Sequence, residues 1–301
     1  MVDVADVPLP QPGPGEVRLR MLRSPIHNHD LATIRGTYGY KPELPAIGGT
    51  ELVGEVDGRR FAAAVPNSAW AEYTIVPQFA LVPVPDGVSD ETAAQLLAMP
   101  LSAVVLFDEL RTQPGMWIGQ NAAGGAVGRI VMQLAQANDV NIVNIVRSER
   151  AAEDLRSHGA RHVVVTSDDG TWQREIRDLT GGKGLARIVD SVAGPQTLEL
   201  QRVLAQFGEI IIFGGLSGAA IKLDTGLMVS LECTVRGFWM SSWMRRASDE
   251  ERMRAMQRVF EMATQGTLPL PVAGVYPLSE CKAALTAAQT PGRSGKVILA
   301  P

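Results

Sequence analysis

The run Gly119-Gln-Asn-Ala-Ala-Gly-Gly-Ala-Val-Gly128 sits between an apolar segment at 116–120 and a helical apolar pattern at 125–137. Strand, tight turn and helix in that order give a glycine pattern meaning. Aligned on its last glycine, the spacing of a dinucleotide-binding turn falls on Ala123, Gly125 and Gly128. Gly125 lets the backbone approach a pyrophosphate, and Gly128 lets the helix pack tightly on the sheet. The first turn of the helix then offers unpaired N–H groups and the positive end of its dipole to phosphate.

Outward from this turn, strands and helices alternate. Strands are predicted over 116–120, 141–147, 162–166, 186–191 and 209–213. Helices are predicted over 125–137, 149–157, 171–179 and 195–204. Ile- and Val-rich strands in such alternation imply a parallel sheet covered on both faces, an α/β doubly wound architecture. The first hundred residues read differently. Pro8, Pro10, Pro12 and Pro14 preclude helix there, and short strands follow at 16–23, 52–56, 60–65, 72–76 and 81–84, with a short helix near 30–35. Helices at 89–97 and 100–110 lead into the alternating region. After it come a polar helix over 248–265, a strand near 271–275, a helix near 279–288 and a strand at 296–299. The expected organisation is a β-rich domain of 1–98 and 266–301 around a doubly wound domain of 99–265.

The end of the second parallel strand speaks to the cofactor. An NAD site wants an acidic residue about 20 residues past the glycines, on the ribose 2′-hydroxyl. Here the strand ends in Arg147-Ser-Glu-Arg150. A guanidinium can hold a 2′-phosphate bidentately, and Ser148 can donate one more hydrogen bond. This chemistry favours NADPH (NADP) over NAD(H), with Glu149 as a counter-signal.

Composition limits the alternatives. Lys and Arg number 28 against 32 Asp and Glu, a net charge of −4, so no global basic field draws nucleic acid or an anionic membrane. Cys233 and Cys281 are the only cysteines, too few for a disulfide framework or a four-cysteine zinc site. No apolar run approaches the length of a membrane span. The start, Met1-Val-Asp-Val-Ala-Asp6, lacks a basic and apolar leader, and a cytoplasmic location is expected. Gly181-Gly-Lys-Gly184 lacks the spacing of a phosphate loop and reads as a turn, and His158 and His162 read as surface residues around Gly159.

Four stretches carry a family resemblance: Pro12-Gly-Pro-Gly-Glu16, Val84-Pro-Asp-Gly87, the turn at 123–128, and Gly295-Lys-Val-Ile-Leu299. With the order of the domains, the chain resembles the medium-chain dehydrogenase/reductase superfamily over essentially its whole length. The resemblance implies a Rossmann domain beside a β-rich GroES-like catalytic domain, and a homodimer formed through edge strands. Zinc-dependent members supply an early Cys and a Gly-His-Glu. The matching stretches here read Ser24-Pro-Ile-His27 and Gly48-Gly-Thr-Glu51, and no cysteine precedes Cys233, so no catalytic metal is expected.

Among zinc-independent members, Thr33-Ile-Arg-Gly-Thr-Tyr-Gly-Tyr-Lys-Pro-Glu-Leu-Pro-Ala-Ile-Gly-Gly-Thr-Glu51 is similar to the trans-2-enoyl-thioester reductases. So are Gln120-Asn-Ala122, Ile145-Val-Arg147 and Gly237-Phe-Trp-Met-Ser-Ser-Trp243. The short connection Gly54-Glu-Val-Asp-Gly-Arg-Arg-Phe61 is closer to compact zeta-crystallin-like quinone oxidoreductases. The resemblance places the catalytic tyrosine on Tyr38. It places the pyrophosphate turn on Gly124, Gly125, Ala126 and Val127, beside the Gly128 already assigned. It puts the 2′-phosphate arginine on Arg147, the nicotinamide-side pair on Gly214 and Gly215, a further cofactor segment on Phe238, Trp239 and Met240, and a late lysine on Lys296. His27 and Met99 stand where the family commonly has asparagines.

These assignments imply hydride delivery to an activated C=C, with charge developing on the conjugated carbonyl oxygen. A phenol aimed at that oxygen in a dry site is worth about 2.7–4 kcal/mol of barrier. Tyr38 is the candidate; on composition alone Tyr40 serves equally, or Tyr38 is a turn residue with an exposed hydroxyl. His27 and His29 form a His-x-His pattern, read as loop or as polar groups at the mouth of a substrate pocket that Tyr40 and Trp243 would also line. Trp239 and Trp243 either wall an acyl pocket or pack in the core. Three readings follow: a reductase of enoyl thioesters or enones, an NADPH:quinone oxidoreductase, and a non-catalytic NADPH-binding protein.

Overall fold

The computed structural model describes residues 2–290 and 292–301. The chain divides into two compact units, Met1–Leu101 with Arg254–Pro301, and Ser102–Met253. The first unit begins with β1 (Glu16–Pro25), α1 (Asn28–Ile34), β2 (Glu51–Val56), β3 (Arg59–Ala64), β4 (Tyr73–Pro77), β5 (Val82–Pro83) and α2 (Asp90–Ala93). Along β1 the apolar Leu19 and Met21 turn inward while Arg20 between them is exposed, the alternation of a half-buried strand. Asp57 and Gly58, both at positive φ, make the two-residue turn joining β2 to β3. Leu19, Met21, Leu52, Ala63, Val65, Ala69 and Val76 fill the core between them.

The helix expected over 89–97 is shorter than its pattern. Ser89 caps it, but only Asp90–Ala93 is α-helical. The backbone then tightens, with Gln95 N–H on the Thr92 carbonyl, and the N–H groups of Leu97 and Ala98 bond to the Glu51 carboxylate. A buried side-chain acceptor has replaced the next helical turn.

The second unit starts within α3 (Met99–Glu109) and continues through β6 (Trp117–Asn121), α4 (Ala126–Ala137), β7 (Asn141–Val146), α5 (Glu149–Ser157), β8 (His162–Val165), α6 (Thr171–Leu179) and β9 (Leu185–Asp190). Then follow α7 (Gln196–Gln201), β10 (Leu204–Ile212), α8 (Thr225–Ser230), β11 (Thr234–Gly237), α9 (Met240–Arg246) and α10 (Asp249–Thr264). The sheet runs β8-β7-β6-β9-β10-β11, all parallel, the order of a dinucleotide-binding doubly wound fold. Ile145, Val164, Trp172, Ile188, Leu200 and Ile210 are among the side chains packed across it. Gly181, Gly182 and Gly184, all at positive φ, form a turn before β9. The stretch holding α8, β11 and α9 carries no assignment from sequence because each element is too short to show a period.

The chain returns to the first unit within α10, at Arg254, and continues through β12 (Val272–Pro277), α11 (Cys281–Gln289) and β13 (Lys296–Ala300). β13 pairs antiparallel with β1, Ser24 opposite Leu299, and parallel with β12. The resulting sheet reads β12-β13-β1-β2-β3-β5, with β4 also on β1. That pairing brings Lys296 into the same unit as the residues around Glu51. Among the described residues, no helix is long and apolar enough to cross a membrane.

Candidate active site

In the second unit, the expected cofactor residues all leave the carboxyl edge of the parallel sheet. The turn at 122–128 follows β6, Arg147 and Ser148 follow β7, Gly214 and Gly215 follow β10, and Phe238, Trp239 and Met240 follow β11. Ligands of open α/β sheets bind at that edge where the strand order reverses, here between β6 and β9. A buried latch joins these two strand ends. Asn121 Nδ2 donates to Asp190 Oδ1 at 2.6 Å, and the Ser191 N–H donates to Asn121 Oδ1 at 2.7 Å. Asp190 also accepts from the Val192 and Ala193 N–H groups and from the Thr197 hydroxyl at 2.7 Å.

Gly125 is the N-cap of α4, in extended conformation and with no side chain over the first turn. The first N–H groups of that helix are therefore open to a ligand. A Cβ at Gly124 or Gly215 would meet nothing within 4 Å, and at Gly125 only the Ala122 carbonyl oxygen at 3.3 Å. At Gly128 a Cβ would lie 2.6 Å from the Ala123 carbonyl oxygen, so the helix can approach the turn only with glycine there. The inner side of the turn is filled by Arg129. Only 2% exposed, it donates Nε–H to the Gly124 carbonyl at 3.0 Å and pairs with Asp154 of α5. A turn open outside and braced inside fits a pyrophosphate laid against its backbone.

Arg147 is exposed and makes no hydrogen bond or ion pair among the described residues, which leaves its guanidinium free for a phosphate. Glu149, the counter-signal in the sequence, points its carboxylate to Arg156 at 3.4 Å instead. Ser148 caps α5, its Oγ accepting from the Ala151 N–H at 3.4 Å, while its own O–H remains available. Phe238 stacks on Phe213 at 6.2 Å. Trp239 is 46% exposed beneath the Arg245 guanidinium, 5.1 Å from its ring centre, so it is not a core residue. Trp243 is half-buried.

The first unit holds a cluster of titratable groups. Tyr38 follows α1, its N–H on the Ala32 carbonyl at 3.3 Å and its ring 5.7 Å from that of His29. The phenol makes no hydrogen bond among the described residues. Tyr40 is exposed and has no ring partner among them. His29 Nε2 lies 2.7 Å from Thr50 Oγ1, and the Thr50 hydroxyl donates to Asp30 Oδ1 at 2.8 Å. A hydroxyl has one proton, so His29 Nε2 carries the proton it shares with Thr50. Asp30 Oδ2 accepts the His27 N–H at 2.7 Å, closing the cap of α1. Gly48 and Gly49 lie under the Trp70 ring where no Cβ fits, and this contact brings Thr50 and Glu51 into place.

His27 corrects an expectation. Instead of lying at a loop or pocket mouth it is fully buried, because it caps α1 with its backbone and bonds Glu51 Oε2 with Nε2 at 2.8 Å. His29 covers its face, the rings stacked 4.9 Å apart.

Burial dominates the electrostatics. It pushes the Glu51 carboxyl up to about 8, against the N–H groups of Leu97 and Ala98 and the charge of Lys296. Glu51 Oε2 and His27 Nε2 share one proton across 2.8 Å, and the buried His27 Nδ1 has no hydrogen-bond partner among the described residues. Burial holds His27 well below the usual histidine range, reinforced by Lys296 and His29. It also lowers His29, against the pull of Asp30, and raises Asp30. Lys296, half-buried at the start of β13, is brought down to about 8 by burial and then by Arg293, with Asp30 and Glu51 opposing. Among the described residues, no group of three or more His, Cys, Asp or Glu is placed to hold a metal ion.

Several contributors escape a reading of the sequence, among them Arg129, Asn121 and Thr50. Arg129 carried a signal, being the lone charge in the apolar run Val127–Leu134 of α4. Asn121 and Thr50 carried none, since their partners are distant in the chain.

Residues 126–260 match the family described as zinc-binding dehydrogenase; that span does not include the stretches at 24–51 where zinc ligands would be sought. Human mitochondrial enoyl-[acyl-carrier-protein] reductase is 30% identical over 94% of this chain and 80% of its own length. The same enzyme of Xenopus tropicalis is 29% identical over 98% of this chain and 89% of its own. Among solved structures, the quinone oxidoreductase of Thermus thermophilus, known also in complex with NADPH, superposes with a TM-score of 0.86 at 26% identity, covering 99% of this chain and 96% of that one. A mycobacterial protein complexed with NADPH gives 0.88 at 26% identity, covering 99% and 94%. In sequence and in fold, the chain belongs to the medium-chain dehydrogenase/reductase superfamily and is an NADPH-dependent oxidoreductase of that type.

Proposed function

We propose that this protein reduces the activated C=C of an α,β-unsaturated thioester, a trans-2-enoyl group on coenzyme A or a carrier protein, or of an enone, with Tyr38 as the donor to the carbonyl oxygen. The observation that carries this reading is a phenol seated on His29 with no hydrogen-bond partner of its own among the described residues. The enoyl reductases among its sequence relatives support the substrate class. NADPH, when bound, would supply the hydride that the β-carbon takes up. Negative charge then gathers on the carbonyl oxygen, where a preorganised donor acts most strongly. Tyr38 donates to that oxygen, and its phenol proton can pass on to complete the reduction.

The cofactor is held, on this reading, by the backbone of Gly124, Gly125, Ala126, Val127 and Gly128 at the pyrophosphate. Arg147 and Ser148 hold the 2′-phosphate, Gly214, Gly215, Phe238, Trp239 and Met240 line the nicotinamide side, and Lys296 supplies a late contact. Tyr40 and Trp243 line the substrate side. A second copy of the chain covers β11, the edge of the parallel sheet, beside which Phe207 and Val229 are 64% and 73% exposed; light scattering at assay concentration would give a dimer mass, and a monomer mass would remove that assignment.

Quinone reduction is the second reading, supported by the structural neighbours and by the short β2–β3 turn. A quinone needs no dedicated donor, because water protonates its oxygens. NADPH oxidation with a short and a medium trans-2-enoyl-CoA, beside a naphthoquinone, separates the two. Turnover of the enoyl thioesters supports the proposal, and turnover of the quinone alone overturns it.

A further inference from the structure

We propose that His29 is a positioning residue for Tyr38: clamped at its edge by Thr50 and on its face by His27, it fixes the ring of the proton donor. This rests on the reading of Tyr38 given above. Tyr38 lies in the stretch between α1 and β2, which contains no helix or strand. Among the described residues its backbone hydrogen bond is to the Ala32 carbonyl, and its one ring partner is His29, at 5.7 Å and a 30° tilt. A donor in a loop gains its rate effect only when held to within about 0.5 Å. His29 is the neighbour placed to supply that precision.

His29 is itself held firmly. Its Nε2–H is on Thr50, whose hydroxyl is on Asp30, whose other oxygen takes the His27 N–H. Its face rests on His27, which is fixed in turn by Glu51 at 2.8 Å. The phenol thus stands at the end of a ladder of three rings whose far end is a buried carboxyl. The charged and titratable groups around His29 are His27 and Asp30 of α1 and its cap, Tyr38 beyond the helix, Lys296 of β13, and Glu51 of β2 behind His27. Burial keeps the His29 imidazole neutral through the neutral pH range, so the ladder is intact there. Acid protonates His29 and sets a positive charge against Lys296 and beside the Tyr38 ring.

The test compares kcat and KM of His29→Ala, His29→Phe, Thr50→Val and Tyr38→Phe with NADPH and a trans-2-enoyl-CoA. Loss of the ring in His29→Ala should lower kcat about tenfold or more, since small misplacements of a reacting group cost up to ~100-fold. KM for NADPH should stay within about twofold, because the nucleotide turn lies in the other unit. His29→Phe keeps the stacking ring and should recover most of the loss. Its kcat should also fall less in acid than that of the native enzyme. Thr50→Val should fall between the native enzyme and His29→Ala. If His29→Ala keeps native kcat while Tyr38→Phe loses it, His29 positions nothing, and the role of Tyr38 stands. A Tyr38→Phe variant at native rate removes the role of Tyr38 and this inference together. If His29→Ala does not fold, the phenylalanine and valine variants decide: a native-like acid limb in His29→Phe overturns the proposal.

Discussion

The two units solve the problem of charge in opposite ways. The nucleotide unit keeps its working groups at the sheet edge and near water: open backbone N–H groups at Gly125 and an unpaired, exposed Arg147. Its one buried cation, Arg129, is paired and faces inward. The first unit instead buries His27, Asp30 and Glu51, with His29 and Lys296 partly enclosed, and leaves a single phenol at their margin. On the proposed reading, the nucleotide unit receives an anion that arrives already charged, so exposure costs it little. On the same reading, the first unit stabilises charge that appears only during reaction, which a dry, preorganised setting favours.

The comparison sharpens first at Arg147. Arg147→Ala removes charge-assisted bonds worth about 1.5–3 kcal/mol, so KM for NADPH should rise roughly 10- to 100-fold while that for NADH hardly changes. Equal effects on both coenzymes would contradict the 2′-phosphate assignment. Next comes Arg129, whose replacement by Met leaves Asp154 and the Gly124 carbonyl without their partner. A stability loss of about 1–3 kcal/mol and a several-fold weaker NADPH affinity are expected, read by denaturant unfolding and titration. Unchanged affinity in a folded variant would show that the turn needs no brace.

A further expected effect lies in pH. Glu51 has its folded pKa raised from 4.5 to about 8, so the folded state holds a proton that the unfolded state releases. Its contribution to stability is fully present below about 4.5 and is lost as pH rises toward 8. Lys296, lowered from 10.5 to about 8, acts only above that window, where stability recovers as pH rises. Glu51→Gln keeps an acceptor for Leu97 and Ala98 and a donor for His27. Thermal unfolding should show its advantage over the native protein growing between pH 6 and 8. A constant difference across that range would mean that Glu51 is ionised in the fold.

The fold was legible wherever a pattern was local. The alternation from 116 to 213 foretold the parallel sheet, and the Gly125 and Gly128 spacing foretold an open turn on a tightly packed helix. The place of Arg147, just past the end of β7, was legible because it depends only on strand length. The buried ladder was not legible. Its links join residues 24 apart for His27 and Glu51, 21 for His29 and Thr50, and 46 for Glu51 and Leu97. No periodicity encodes such pairs, and the same Glu51 that caps them shortened a helix its own sequence favours.

The account depends most on Tyr38. The direct measurement is the steady-state rate of Tyr38→Phe against the native enzyme on two acceptors, a trans-2-enoyl-CoA and a naphthoquinone, at saturating NADPH. Loss of a donor worth about 2.7–4 kcal/mol should cut the enoyl rate roughly 100- to 1,000-fold and leave any quinone rate near native. Equal rates for both proteins on the enoyl thioester would contradict it.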